Sequence, residues 1–212
     1  MLAGQTLHTS NNKEVCLFPL EYMNISQGEN GQYSHQGTLN IDFVGWGANG
    51  RIYTCPYYAP VSCSCVAGGG IDNWRVFTSI DTVYIADGTT NYITWVQMHD
   101  NTPPSVGDTF NQGDLMGHTG TAGNVTGDHV HFNFALGQYA GWETVSSGQM
   151  QLKNSIHMYD ACFINDTVII NDEGYNWQIY TAPSPPPTPT IFKKTKFPWV
   201  LYACKIRQNH NF

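Results

Sequence analysis

The stretch SVGDTFNQGDLMGHTGTAGNVTGDHVHF, residues 105–132, carries glycine at 107, 113, 117, 120, 123 and 127. Each glycine in a helix interior costs about 1 kcal/mol relative to alanine, so this spacing excludes a helix. It predicts short extended segments joined by tight turns. The stretch runs directly into HVHFNFAL, where aromatic and aliphatic residues alternate with His and Asn. Successive side chains on a strand point to opposite faces, so His129 and His131 are expected to project side by side from one face of a sheet.

Other short runs upstream follow the same grammar. TLNIDFVG, RIYTCPYYAPVSCSCV, WRVFTSI, TVYIA and NYITWVQMH are rich in β-branched and aromatic residues and are separated by turn residues. Asn49-Gly50 and Asp87-Gly88 are suited to tight hairpins. Only residues 146–165 read ambiguously, with room for a short helix. The expectation is a mainly β, antiparallel, turn-rich domain with little helix. APSPPPTPT, residues 182–190, breaks this pattern: consecutive prolines favour extended polyproline geometry, so it reads as a semi-rigid linker. The basic, aromatic tail beyond it, residues 191–212, is too short to bury a core of its own.

Charge narrows the function classes. All 16 acidic residues and four of the nine basic ones lie in residues 1–182, which makes the body −12 and residues 183–212 +5. Binding nucleic acid needs a basic face to neutralise phosphates, and the body has none. No run of 18 apolar residues occurs, so no membrane-spanning helix is expected. MLAGQTLHTSNN at the start lacks the basic and apolar regions of a secretory signal peptide, so an extracellular role would need another route, such as packaging in a virion. The six cysteines form no Cys-x-x-Cys pair. Cys55, Cys63 and Cys65 are close enough in sequence for a disulfide or a second metal site, but buried thiols are the favoured expectation.

Two imidazoles aimed into one space suggest a metal or a proton-transfer pair. A catalytic zinc takes three protein ligands and leaves a fourth position for water. YSHQGTLNIDFVG offers His35 and Asp42, with six residues between them. On a straight strand these would lie on opposite faces about 23 Å apart, so they can share a metal only if the chain bends, for which Gly37 and Asn40 are suited. In NYITWVQMHDN an aromatic and β-branched strand ends in His99, followed by turn residues. His118 lies in the glycine-rich turns and reads as a bystander. Trp46, Trp74 and Trp95 are candidate groove walls, although core packing is the commoner fate of such residues.

In this order, His35, Asp42, His99, VGDTFNQGDLMGHTGTAG and His129-Val-His131 resemble the lysostaphin/LytM family of zinc metallopeptidases, which cut peptide cross-links in bacterial peptidoglycan. Ala59-Pro60-Val61 also sits where that family tends to have Ala-Pro entering a core strand. The resemblance covers about residues 33–138. The chain departs from the pattern in its first His–Asp spacing, six intervening residues instead of three. A similar longer spacing occurs in the tail-knob peptidases of small short-tailed phages that infect Gram-positive bacteria. The family's Tyr before the first His is not at its usual place; Tyr33 is two positions away.

The resemblance implies a LytM-like antiparallel β fold and a zinc ion held by His35, Asp42 and His131. It implies that His99 and His129 are free imidazoles acting on the substrate, without deciding which is the general base. It further implies peptidoglycan as substrate, other phage tail proteins as partners, and a location at the virion tail tip. The corresponding organisation is a lead-in over 1–32, a metallopeptidase core over 33–140, an extension packed on it over 141–181, the linker over 182–190 and the tail over 191–212. Three other readings stay open: an inactive LytM-like structural or wall-binding module, a metal held purely for stability with His118 or a thiol as fourth ligand, and a bacterial enzyme of wall remodelling.

Overall fold

The computed structural model describes residues 1–47, 49–163 and the backbone of 179–181. The linker 182–190 and the tail 191–212 lie outside the described residues, as does most of 164–181. Sixteen strands and one short helix are described. They are β1 (Tyr22–Gln27), β2 (Ile41–Gly47), β3 (Gly50–Ile52), β4 (Pro56–Tyr58), β5 (Cys63–Gly69), β6 (Trp74–Ser79), β7 (Val83–Tyr84), β8 (Thr90–Asn91) and β9 (Ile93–Met98). There follow β10 (Thr109–Phe110), β11 (Leu115–His118), β12 (Val130–Leu136), β13 (Trp142–Thr144), β14 (Met150–Leu152), β15 (Ser155–Ile156), α1 (Met158–Ala161) and β16 (Ile179–Thr181). The fold is mainly antiparallel β, as the sequence leads one to expect.

Ten strands form one sheet, whose main path runs β10-β5-β6-β9-β12-β2-β1-β16, with β3 added to β2 and β15 to β12. Alternation along β12 decides its two faces. Val130, Phe132 and Phe134 enter the main core, which leaves His131, Asn133 and Ala135 on the other face. Core packing continues across the central strands as an aromatic ladder. Phe77 pairs with Trp95, which pairs with Phe134, and the rings stack at 5.6 and 6.0 Å. Trp95 is therefore fully buried and is no groove wall, which corrects that expectation for this residue. Trp46 and Trp74 are half-buried, and Trp74 meets Trp142 edge-on at 5.7 Å.

Several turn readings are met. The β2–β3 hairpin closes with Gly47 opposite Gly50, whose φ of +99° suits glycine. Gly88, with φ of +90°, turns the chain between β7 and β8. The ambiguous segment supplies the four-residue helix α1. No disulfide joins the described cysteines, all of which are buried.

Candidate metal centre

Asp42 lies between Ile41 and Phe43, both core residues, so strand alternation sends its carboxylate to the face that carries His131. The register of β2 against β12 sets Asp42 directly opposite His131. Their side chains meet, with His131 Nδ1 2.9 Å from Asp42 Oδ1. His35 reaches the same oxygen with its Nε2 at 3.4 Å. The required bend falls at Gly37, which has φ of +72°, beside a turn in which the Thr38 N–H donates to the His35 carbonyl. Asn40 does not make the bend; its amide instead donates to the Met150 carbonyl of β14.

His35, Asp42 and His131 are buried, and their candidate ligand atoms lie within 4.8 Å of one another. Two nitrogens and a carboxylate oxygen make a donor set suited to zinc, whose ligands at 2.0–2.1 Å sit about 3.3 Å apart in a tetrahedron. The hydrogen bonding agrees with this. His35 Nδ1 lies 3.2 Å from the Gly28 carbonyl, an arrangement in which Nδ1 carries the hydrogen and Nε2 points a lone pair at Asp42 Oδ1. Such a contact is favourable with a cation between the two atoms or with a second hydrogen on Nε2. His118 is not part of the group; it sits half-buried in β11 with its backbone N–H donating to Asp100 Oδ2.

His129 and His99 stand beside this cluster. His129 Nδ1 bonds the Gly127 carbonyl at 2.8 Å, and its Nε2 is 3.9 Å from Asp42 Oδ1. His99 directly follows β9, where continued alternation would send it to the side of Trp95 and Gln97. Its φ of +79° breaks the alternation, and its ring stands 4.5 Å from that of His129 and 6.2 Å from that of His131. Such backbone strain persists only where the surroundings impose it. Here the His99 N–H donates to Asp72 O, its carbonyl accepts from Ala122 N, and its Nδ1 bonds the Ala122 carbonyl at 2.9 Å. All five residues singled out in the sequence thus converge on one site.

The turn glycines make this approach possible. Gly120 bonds His129 in both directions, and a Cβ on it would overlap the His99 carbonyl oxygen. Gly120→Ala is therefore expected to destabilise the protein by about 2 kcal/mol, lowering Tm by roughly 4–8 °C; thermal melts followed by circular dichroism check this.

Burial alone would raise the Asp42 carboxyl pKa, but the adjacent His35 and His131 imidazoles outweigh it and hold it well below the usual range. Burial, helped by the neighbouring histidines, pushes His99 down to about 4. Burial also lowers His131, against the pull of Asp42. These shifts have a definite sign. With His99 lowered from 6.5 to about 4, the unfolded chain binds more protons than the folded one in that window, so stability falls as pH drops through it. The Asp42 contribution is lost at still lower pH. Melts of metal-free protein are expected to show Tm falling steadily from pH 6.5 to pH 4; an unchanged Tm would contradict the burial of these groups as neutral imidazoles.

Other residues of the site carried no sequence signal. Gln27 on β1 donates to Asp42 Oδ2 at 3.1 Å, which leaves Oδ1 to the histidines. Only the pairing of Gln27 with Asp42 across a bulge reveals it. Asp100, next to His99, accepts from the Tyr57 hydroxyl at 2.9 Å and from His118 N, and so ties β4 and β11 behind the site. Tyr33 is 69% exposed.

No family model matches the chain. Over 167 residues, 78% of its length, it is 42% identical to "Morphogenesis protein 1" of Bacillus phage B103. It spans 44% of the length of that phage protein. Among solved structures it is similar to a zinc-containing peptidase from Vibrio cholerae, with 14% identity, 69% of this chain and 44% of that one covered, and a TM-score of 0.42. It is also similar to the antimicrobial peptidase lysostaphin from Staphylococcus simulans, with 20% identity, 64% of each chain covered and a TM-score of 0.41.

Proposed function

We propose that this chain is a zinc-dependent endopeptidase of the LytM/lysostaphin type that hydrolyses peptide cross-links of bacterial peptidoglycan. The observation that carries the reading is the meeting of His35, His129 and His131 around the single oxygen Asp42 Oδ1, at 3.4, 3.9 and 2.9 Å, with His99 against them. In this reading His35, Asp42 and His131 hold the zinc, and His99 and His129 act on the substrate. The metal, when bound, supplies Lewis acidity: it lowers the pKa of its water toward ~7 and polarises a carbonyl.

The chain's own residues divide the remaining work. Asp42 supplies the negative charge of the site, with Gln27 fixing its second oxygen. His99 stays neutral above about pH 4, so at neutral pH its Nε2 is free to accept a proton. His129 Nε2 is likewise turned away from its bonded Nδ1. One of the pair takes the proton of the attacking water on Nε2 and returns it to the leaving amine.

The similarity to a phage morphogenesis protein supports a phage-related role; in this reading the activity belongs in a virion, at the tail tip, where opening the wall serves infection. Peptidoglycan and neighbouring tail proteins are then the partners, and residues 33–140 form the catalytic core. Incubating zinc-loaded protein with purified Gram-positive sacculi tests the reading. New free amino groups and shortened cross-links by mass spectrometry are expected, and 1,10-phenanthroline should abolish both. No release from any sacculus type would refute the enzymatic reading and favour the structural module.

A further inference from the structure

One nitrogen of the candidate centre lacks a visible hold. If His131 faces a metal through Nδ1, the atom 2.9 Å from Asp42, its ring hydrogen sits on Nε2. That Nε2 is buried without a hydrogen-bond partner. In metal sites the second nitrogen of a ligating histidine is normally bonded, and that bond selects which nitrogen is free for the metal.

Two further orphaned atoms lie on the same face of the same strand pair: Asn40 Oδ1 and Asn133 Nδ2. Asn133 is two residues beyond His131 on β12. The β2–β12 register ends with Ile41 opposite Phe132, so one step further sets Asn40 beside Asn133. Both amides lie under β14, and this fixes their orientation. Asn40 Nδ2 donates to the Met150 carbonyl, so its oxygen must turn the other way. Asn133 Oδ1 accepts from the Leu152 N–H and the Ser155 hydroxyl, so its free atom is the donor. Asn40 is 5% exposed and Asn133 is fully buried. Among the described residues of β12, of β2 and of the position just before β2, Asn40 Oδ1 is the one orphaned acceptor, set against two orphaned donors.

We infer that Asn40 is a positioning residue for His131, its side-chain oxygen accepting the Nε2 hydrogen through one water that Asn133 Nδ2 also holds. A buried water with one acceptor and two donors around it meets the usual requirement of about three polar partners. Asn40 thereby presents Nδ1 of His131 as the bare nitrogen beside Asp42. The hairpin β13–β14 acts as the lid of this arrangement, linking residues after 141 to the metal through Asn40. The inference rests on the proposed metal centre.

The test compares Asn40→Leu with Asn40→Asp. Both lose the bond to Met150, but only the aspartate keeps an acceptor in place. Zinc affinity is measured by competition with a chromogenic chelator, and the His131 ring hydrogen is followed by NMR on protein labelled with nitrogen-15 in histidine. Asn40→Leu is expected to weaken zinc 10–100-fold and to lose the exchange-protected Nε2 hydrogen resonance, while Asn40→Asp stays within about threefold of wild type and keeps it. Equal weakening in both variants would assign the loss to the Met150 bond and overturn the inference, as would wild-type affinity in Asn40→Leu. Wild-type protein that binds no zinc would bring down the metal centre and this inference together, which separates the two failures.

Discussion

Asp42→Ala is expected to lose metal and cross-link cleavage together. Asp42 Oδ1 is the point on which three imidazoles converge, and among the described residues its carboxylate is the one negative charge that pairs with them. Without it two neutral nitrogens remain, and zinc affinity is expected to fall by more than about 100-fold, the upper range already reached by changes to residues that only support a ligand. Loss of several kcal/mol of Lewis-acid stabilisation corresponds to a rate decrease of about 1,000-fold or more. Asp42→Asn separates charge from shape: it keeps the volume and an oxygen, so retention of metal there would reassign the role of the charge. A preserved near-ultraviolet circular dichroism spectrum shows that the variant is folded. Full cleavage by Asp42→Ala would remove Asp42 from the ligand set.

His129→Ala is expected to part the two properties. Its Nε2 is 3.9 Å from Asp42 Oδ1, and its ring packs against His99 at 4.5 Å, which suits a proton carrier beside the ligands. Metal content is expected to stay near that of wild type, while cleavage falls by about 100- to 10,000-fold, the usual contribution of a positioned acid or base. Measuring zinc and sacculus cleavage on one preparation decides the matter. Loss of zinc in His129→Ala would make it a ligand and require a new assignment for His35 or His131.

How far the sequence carries this site depends on the range of each cause. The shared face of His129 and His131 follows from a period of two and is legible locally, and so is the glycine-dictated series of turns before them. Asp42 is legible for the same reason, as a carboxylate between two core residues. That His35 bends back to it was only a condition, which the turn at Gly37 fulfils. His99 illustrates the limit, because its orientation comes from a positive φ held by Asp72 and Ala122, residues 27 and 23 positions away in the chain. Gln27 and Asn133 depend on strand pairing and on the hairpin over the sheet, which no local pattern encodes. Asn40 suits a bend by residue type but serves as an anchor to Met150, since a turn-forming amide is equally able to bond a neighbouring strand. Trp95 was one of three similar aromatics, and only its register with Phe77 and Phe134 commits it to the core.

The most direct test of the metal centre is the zinc content of purified wild-type protein by inductively coupled plasma mass spectrometry, before and after dialysis against chelator and again after incubation with zinc. About one zinc per chain, removed by chelator and restored on incubation, is the expected result. No bound zinc after incubation would contradict the account and leave His35, Asp42 and His131 as a buried hydrogen-bonded cluster.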